Sequence, residues 1–160
     1  MAASPIPDCF AGQPIAAEVA RGVTRLFCRQ DLFAICEVPL PNGRRADMMA
    51  IDARGNLTIV EIKVSRADLL GDCKWTDYLE YCDRFFWAVP PLLAAHLEDE
   101  RFLPGEAGLL IADRYDAAVA REAAHRPLAA ARRKAELLRF ARRAARRLSA
   151  QIDPTLGFDN

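Results

Sequence analysis

The sequence has few of the residues that build common catalytic and cofactor sites. It contains only two histidines, His96 and His125, and none of its five cysteines belongs to a C-x-x-C pair. Zinc and iron–sulfur centres are therefore not expected. A glycine-rich phosphate loop and a nucleophile next to a histidine are also missing, so a small-molecule enzyme of unrelated class has little support.

Long hydrophobic runs are missing as well. No run reaches the roughly 18 apolar residues that a membrane span requires. The first residues include Asp8 and no basic region, unlike a secretory signal. We therefore expect a cytoplasmic protein without membrane contact, in which the cysteines stay reduced and pack as small hydrophobic residues.

The length and charge of the chain limit its organisation. A chain of 160 residues with 52% hydrophobic residues can bury one core. We predict a single domain over residues 15–149, between an N-terminal tail at 1–14 and a C-terminal tail at 150–160. The net charge is zero, yet residues 121–149 hold ten Arg or Lys against two Glu, a local balance of +8. Because binding depends on the local field, this asymmetry favours an anionic partner such as DNA.

Apolar spacing and turn residues predict the order of the secondary structure. Strands are expected at residues 32–40, 46–52, 57–64, 84–89, 106–112 and 117–121. Helices are expected at residues 15–27, from Ser65 to about residue 82 as a continuous or broken helix, at 91–97 and at 128–148. The order is one helix, three strands, and then further helices and strands up to a final helix, which predicts an α/β fold with a mixed central sheet flanked by helices.

The predicted hairpin formed by the second and third strands brings charged residues together. Side chains alternate along a strand, so Glu61 and Lys63 share one face. If Ala53-Arg54-Gly55 is a three-residue loop, Asp52 pairs with Asn56 and Asp47 falls directly opposite Glu61. A four-residue loop would place Asp47 on the other face.

Two carboxylates on directly opposite residues of neighbouring strands repel each other unless a cation lies between them. Asp47, Glu61 and the carbonyl of Ile62 therefore form a candidate site for Mg²⁺ or Mn²⁺. Such a metal polarises a phosphoryl oxygen and activates water, and Lys63 can orient that water or neutralise developing charge. The alternative is an exposed Glu61–Lys63 ion pair on an ordinary hairpin, which has little energetic consequence.

The sequence resembles the PD-(D/E)XK nuclease superfamily, in which an Asp and the E-x-K of the next strand form a metal site inside an αβββαβ core. It is more closely similar to the MmcB group of bacterial DNA repair proteins. The motifs that carry this resemblance are Gly43-Arg44-Arg45-Ala46-Asp47, Ile59-Val60-Glu61-Ile62-Lys63, Lys74-Trp75-x-Asp77-Tyr78, Tyr81-Cys82-Asp83-Arg84 and Ala131-Arg132-Arg133-Lys134. Ala46 replaces the usual proline before the aspartate. The resemblance implies a restriction-endonuclease-like core and a role in repairing damaged DNA.

Many members of that superfamily carry a glutamate on the first helix that reaches the site. Glu18 is the candidate here, with Glu37 on the first strand as a second one. A solvated helix position is the alternative for Glu18, since most glutamates are exposed. Lys74 and Tyr78, about one helical turn apart after the E-x-K strand, can contact a phosphate together. Alternatively, Trp75 packs in the core while Lys74 is only solvated.

Basic residues give further candidate DNA contacts. The C-terminal helix is almost single-signed, whereas a merely soluble helix would have interspersed acids. Some of its arginines can instead be solvated or pair with acidic residues of the domain. The candidate phosphate contacts are Arg44, Arg45, Arg132, Arg133, Arg139, Arg142 and Arg143.

The leading hypothesis is a metal-dependent DNA endonuclease that acts in repair on damaged, branched or single-stranded DNA, with repair proteins as possible partners. The competing hypothesis is a protein on the same fold that binds DNA structures or serves as an adaptor without cutting. Metal-dependent cleavage distinguishes the two.

Overall fold

The computed structural model describes residues 14–71, 74–94 and 105–156. Residues 1–13 of the predicted N-terminal tail and the end of the short helix predicted at 91–97 lie outside these residues, whereas Pro14, the last residue of the predicted tail, begins a helix. The described helices are α1 (Pro14–Arg29), α2 (Arg66–Gly71), a 3₁₀ helix (Trp75–Tyr81), α3 (Pro91–Ala94) and α4 (Ala130–Ile152). The described strands are β1 (Leu32–Pro39), β2 (Arg45–Asp52), β3 (Leu57–Ile62), β4 (Arg84–Val89), β5 (Gly108–Ala112) and β6 (Ala117–Arg121).

The strands form one mixed sheet in the order β1-β2-β3-β4-β5-β6. The first three are antiparallel neighbours, β3, β4 and β5 run parallel, and β6 returns antiparallel to β5. The predicted α/β class and mixed sheet are confirmed. Parallel neighbours need a crossover connection, and the segment with α2 and the 3₁₀ helix provides it between β3 and β4.

The β2–β3 hairpin closes through the three-residue loop that the sequence predicts. The N–H of Asp52 donates to the carbonyl of Asn56, and the N–H of Gly55 donates to the carbonyl of Asp52. Gly55 has φ of +80°, a conformation that glycine adopts without a Cβ clash. The Asp52 carboxylate also accepts the N–H groups of Arg54 and Asn56, which fixes the turn.

The apolar core lies between α1 and one face of the sheet. From the helix, Val19 and Val23 point into it, and β2 and β3 contribute Met48, Val60 and Ile62. These strand positions alternate with Asp47, Glu61 and Lys63, which therefore lie on the other face. The helix and the charged residues are thus on opposite sides of the sheet.

Several element ends differ from the predictions. The segment predicted from Ser65 as a continuous or broken helix contains α2 and the 3₁₀ helix, and Ser65 caps α2 by accepting the N–H of Asp68 on its hydroxyl. Helix α4 continues to Ile152, which is inside the predicted C-terminal tail. Its buried residues are Glu136 and Phe140, whereas the apolar residues Leu138 and Leu148 are exposed.

The chain divides into a sheet unit up to Pro127 and a C-terminal unit from Leu128 that contains α4. Within the part of the chain that the structure describes, none of the helices has the length and apolar character needed to cross a membrane. Cys82 is buried, as expected for a cysteine that packs as a small hydrophobic residue, whereas Cys28 is exposed.

Candidate functional site

Asp47 and Glu61 are joined by reciprocal hydrogen bonds to main-chain groups. The register of the hairpin, with Met48 opposite Val60, continues to Asp47 opposite Glu61. The N–H of Asp47 donates to Oε1 of Glu61 over 3.0 Å, and the N–H of Ile62 donates to Oδ2 of Asp47 over 2.8 Å. The strands thus stop exchanging ordinary ladder bonds after Val60, and side chains replace the missing partners. The two carboxylates are held close together at the end of the hairpin.

Burial perturbs both acids. Burial raises the pKa of Asp47 to about 6, although the N–H of Ile62 and the charge of Lys63 oppose this. Burial, and then the charge of Asp47, raises the pKa of Glu61 to about 8. Each carboxyl group therefore makes ionisation of the other less favourable. Without a cation, the pair retains protons at a pH where ordinary carboxyls have lost theirs.

Lys63 lies on the same face and is also enclosed. Glu61 is only 4% exposed and Lys63 only 9%. The Lys63 ammonium lies 5.5 Å from the centre of the Trp87 ring, within the range of a cation–π contact. Both charged groups have been removed from solvent, so the alternative of an exposed surface ion pair is wrong.

The donor atoms here are those that Mg²⁺ binds. Among the described residues, no group of three or more His, Cys, Asp or Glu side chains is arranged to hold a metal. The available set is two carboxylates and one main-chain carbonyl. The N–H of Ile62 points to Asp47, and the N–H and C=O of one strand residue point to the same side, so the Ile62 carbonyl faces Asp47 as well. Mg²⁺ commonly uses one or two carboxylates and keeps several waters, so these donors fit it.

Glu18 does not reach the carboxylates. It lies on α1, across the sheet from Asp47 and Glu61, and pairs with Arg114 over 2.7 Å. The structure therefore does not bring Glu18 together with Asp47 and Glu61. Glu37, the second candidate, is close enough for its charge to contribute to the raised pKa of Asp47.

Glu37 lies beside the site in an unusual backbone conformation. Its φ is +53°, which is uncommon for a residue other than glycine, and its carboxylate pairs with Arg45 over 2.6 Å. A conformation of this kind persists only where the surroundings enforce it. The Glu37–Arg45 ion pair lies next to Asp47, at the rim of the site.

The other predicted contacts near the hairpin have different environments. Arg44 uses Nε and Nη2 to hold Asp77 on the 3₁₀ helix. Tyr78 is buried, with its hydroxyl 3.3 Å from the Arg45 carbonyl and hydrogen-bonded to Glu61, which differs from the predicted phosphate contact. Lys74 is exposed just before the 3₁₀ helix. Of Arg44, Lys74 and Tyr78, Lys74 is the most exposed.

The C-terminal unit presents the arginine-rich helix α4. Arg132 and Arg139 pair with the buried Glu136, so part of the positive charge is used within the helix. Burial, together with neighbouring Arg147 and Arg146, lowers the pKa of Arg143. Arg142 is exposed and Arg133 is half-buried. Like charges are thus crowded in the last turns of α4.

Two aromatic residues near the carboxylates, Phe85 and Trp87, were not predicted to belong to the site. Phe85 and Trp87 of β4 pair in register with Ile59 and Glu61, so they share the face of the charged residues. Pattern alone predicted β4 as a buried strand but could not give its register, because a crossover connection separates it from β3. The nearest sequence signal for these two residues was the family resemblance, whose matching motifs from Lys74 to Arg84 end directly before Phe85.

Two comparisons with known proteins agree over most of the chain. A sequence model of the family described as "DNA repair protein MmcB-like" matches residues 3–155. Among solved structures, the chain is similar to the SPO1766 protein of unknown function from Silicibacter pomeroyi, with 44% sequence identity and a TM-score of 0.80. That similarity covers 89% of this chain and 94% of the other. No curated protein matches the sequence.

Proposed function

The chain belongs to the MmcB-like family of DNA repair proteins, and from that premise we propose that it is a Mg²⁺-dependent nuclease that hydrolyses DNA phosphodiester bonds. The observation that carries this proposal is the pair of half-buried Asp47 and buried Glu61, with Lys63 on the same face. Two adjacent carboxyls shielded from solvent destabilise each other when both are ionised, and a cation between them relieves the repulsion. On this proposal the sheet unit is a restriction-endonuclease-like core.

Asp47, Glu61 and the carbonyl of Ile62 are the residues that would hold the ion. When bound, a divalent cation polarises a phosphoryl oxygen and activates water for attack on phosphorus. The hydrogen bonds from the N–H groups of Asp47 and Ile62 fix the carboxylates, so little reorganisation is needed on binding. The Tyr78 hydroxyl supports Glu61 in the same way.

Lys63 would supply the positive charge that faces the reacting phosphate. Its ammonium is held over the Trp87 ring, where low exposure strengthens its interaction with an anion. It stabilises charge that develops on the phosphoryl oxygens, or orients the attacking water. A fixed cation of this kind needs no rearrangement during the reaction.

A cleavage assay tests the proposal. The protein is incubated with branched, nicked and single-stranded DNA in Mg²⁺ or Mn²⁺, and the products are resolved by electrophoresis. We expect cutting of at least one substrate, with Asp47→Asn, Glu61→Gln and Lys63→Ala each slowing it by about 100-fold or more. Glu18→Gln is the matched control, an acid on the other face of the sheet that should leave the rate unchanged. No cutting by the wild type, or cutting that survives Glu61→Gln, would exclude the proposal.

The crowded arginines of α4 favour a second candidate, a protein that binds DNA without cutting it. Arg146 and Arg147 repel Arg143, and phosphate groups would relieve that repulsion. This candidate predicts salt-sensitive DNA binding that persists in Glu61→Gln and fails when the three arginines are changed to Gln. Metal-dependent cleavage by the wild type excludes it.

A further inference from the structure

Four aromatic rings lie on the sheet face that carries Asp47, Glu61 and Lys63. This aromatic cluster consists of Trp75, Tyr78, Phe85 and Trp87. Trp75 is 5.4 Å from Phe85 and 6.4 Å from Trp87 between ring centres, and Tyr78 stacks on Phe85 at 5.8 Å. Phe85 and Trp87 meet edge to face at 5.0 Å. The rings pack continuously from the 3₁₀ helix to the strand beside Glu61.

The four rings differ in exposure. Tyr78, Phe85 and Trp87 are buried, whereas Trp75, the first residue of the 3₁₀ helix, is partly exposed. Its neighbour Lys74 is exposed. The cluster therefore ends at the surface in one accessible indole, supported from below by two other rings and next to a positive charge.

Trp87 supplies a second, independent observation. It is 2% exposed, and its indole N–H has no hydrogen-bond partner among the described residues. A buried donor without a partner is costly and is uncommon in native proteins. This donor belongs to the ring that carries the Lys63 ammonium and pairs in register with Glu61. It indicates a ligand with hydrogen-bond acceptors at this place.

We propose that the exposed face of Trp75 stacks on an unpaired base, so that the substrate is single-stranded DNA. Every base has a π-face, but a duplex hides it between neighbouring pairs, and stacking on protein aromatics is therefore typical of single-strand binding. Lys63 and Lys74 provide charge for the phosphates on either side of that base. This inference rests on the proposed function for its choice of DNA as the ligand.

The distances agree with a single nucleotide lying across the site. Lys63 Nζ is 5.5 Å from the Trp87 ring, and that ring is 6.4 Å from Trp75. A phosphate at Lys63 and a base on Trp75 thus belong to the same nucleotide or to adjacent ones. A paired base could not leave its stack to meet Trp75 without an unpairing cost, which favours strands that are already single.

Fluorescence titration tests the inference. Both tryptophans of the chain belong to the aromatic cluster, so intrinsic emission reports on this site alone. The full chain is titrated with a dT oligonucleotide and with a duplex of equal length, in EDTA so that no strand is cut. The titration is repeated in Mg²⁺ on a Glu61→Gln background. We expect quenching and tighter binding with the single strand, and a loss of about 5- to 100-fold in Trp75→Ala.

Two further variants keep the result interpretable. Trp75→Phe retains a stacking ring and should keep most of the affinity, which a variant that only disturbs the fold would not. Tyr115→Ala removes an exposed ring in the β5–β6 turn, outside the aromatic cluster, and should bind like the wild type. Equal affinity for duplex and single strand, or unchanged binding in Trp75→Ala, would overturn the inference.

The binding titration and the cleavage assay can fail independently of each other. Cleavage that needs Glu61 together with Trp75-independent binding would overturn the stacking inference and leave the nuclease standing. Trp75-dependent binding of the single strand without cleavage by the wild type would support stacking and exclude the nuclease.

Discussion

The two faces of strand β3 are buried to a similar extent, but one carries apolar side chains and the other carries charged ones. On one face, Val60 and Ile62 pack against α1 with complementary apolar side chains. On the other, Glu61 and Lys63 are nearly as buried but lie among a second carboxyl and aromatic rings. The first face stabilises the fold. The second has charge where apolar side chains would be more stable, which is typical of sites kept for binding or catalysis.

The largest effect on stability is expected when a charge is placed on the apolar face of β3. Removing the charge at the adjacent position, on the other face, should have a much smaller effect. Val60 is fully buried against the α1 core, so Val60→Asp places an unpaired charge there and should abolish cooperative unfolding. Glu61→Gln, one residue along, should keep the fold. Thermal melts followed by circular dichroism measure both. A folded Val60→Asp protein would show that the two faces tolerate charge equally.

The turn that sets the hairpin register should respond next. Gly55 has φ of +80°, so Gly55→Ala should lower the free energy of unfolding by about 1–2 kcal/mol. Gly71→Ala is the matched control, because a Cβ at the end of α2 meets open space. Chemical denaturation measures both variants. Equal stability of the two would mean that Gly55 does not constrain the loop.

The pH dependence of stability should separate the charged face from the rest of the protein. The unfolded carboxyls of Asp47 and Glu61 titrate near 3.8 and 4.5, and the folded ones near 6 and 8. The folded state therefore holds protons that the unfolded state has released, so the contribution of the pair to stability falls as the pH rises from about 4 to 8.

We expect Glu61→Gln to raise the melting temperature of the metal-free protein by several degrees at pH 8 and by much less at pH 5. The difference between variant and wild type removes the effect of other carboxyls, such as Asp52, whose pKa is lowered. Differential scanning calorimetry in EDTA measures it. A constant difference across this range would contradict the raised pKa values.

The smallest effect is expected at Glu18. It is a partly exposed residue paired with Arg114, and such pairs contribute about 0–1 kcal/mol. Glu18→Gln should therefore change the free energy of unfolding by less than about 0.5 kcal/mol. It should change the rate of DNA cleavage by less than about twofold. A large loss of cleavage would place Glu18 at the site in solution.

The sequence predicted local features well and long-range ones less well. Hairpin register follows from turn chemistry, so Gly55 was sufficient to place Asp47 opposite Glu61. The partner of Glu61 on β4 is set by a crossover and by packing, which left Trp87 unforeseen. Helical periodicity located α1 but not the face of the sheet that it covers, so the sequence could not show that α1 and the carboxylates lie on opposite faces.

The C-terminal helix shows the same limit. Its existence and its basic character followed from composition and periodicity. The helical periodicity, however, did not identify its buried positions, which are Glu136 and Phe140. Arginines around Glu136 satisfy the buried charge, an arrangement that a hydrophobic pattern does not detect.

The central claim is that Asp47 and Glu61 share one divalent cation. Anomalous diffraction from crystals soaked in Mn²⁺ tests it most directly, with Glu61→Gln crystals treated in the same way as the control. We predict one anomalous peak between the two carboxylates in the wild type and its loss in Glu61→Gln. Wild-type crystals that show no peak there at saturating Mn²⁺, with both carboxyls still bonded only to main-chain N–H groups and Tyr78, would contradict the account.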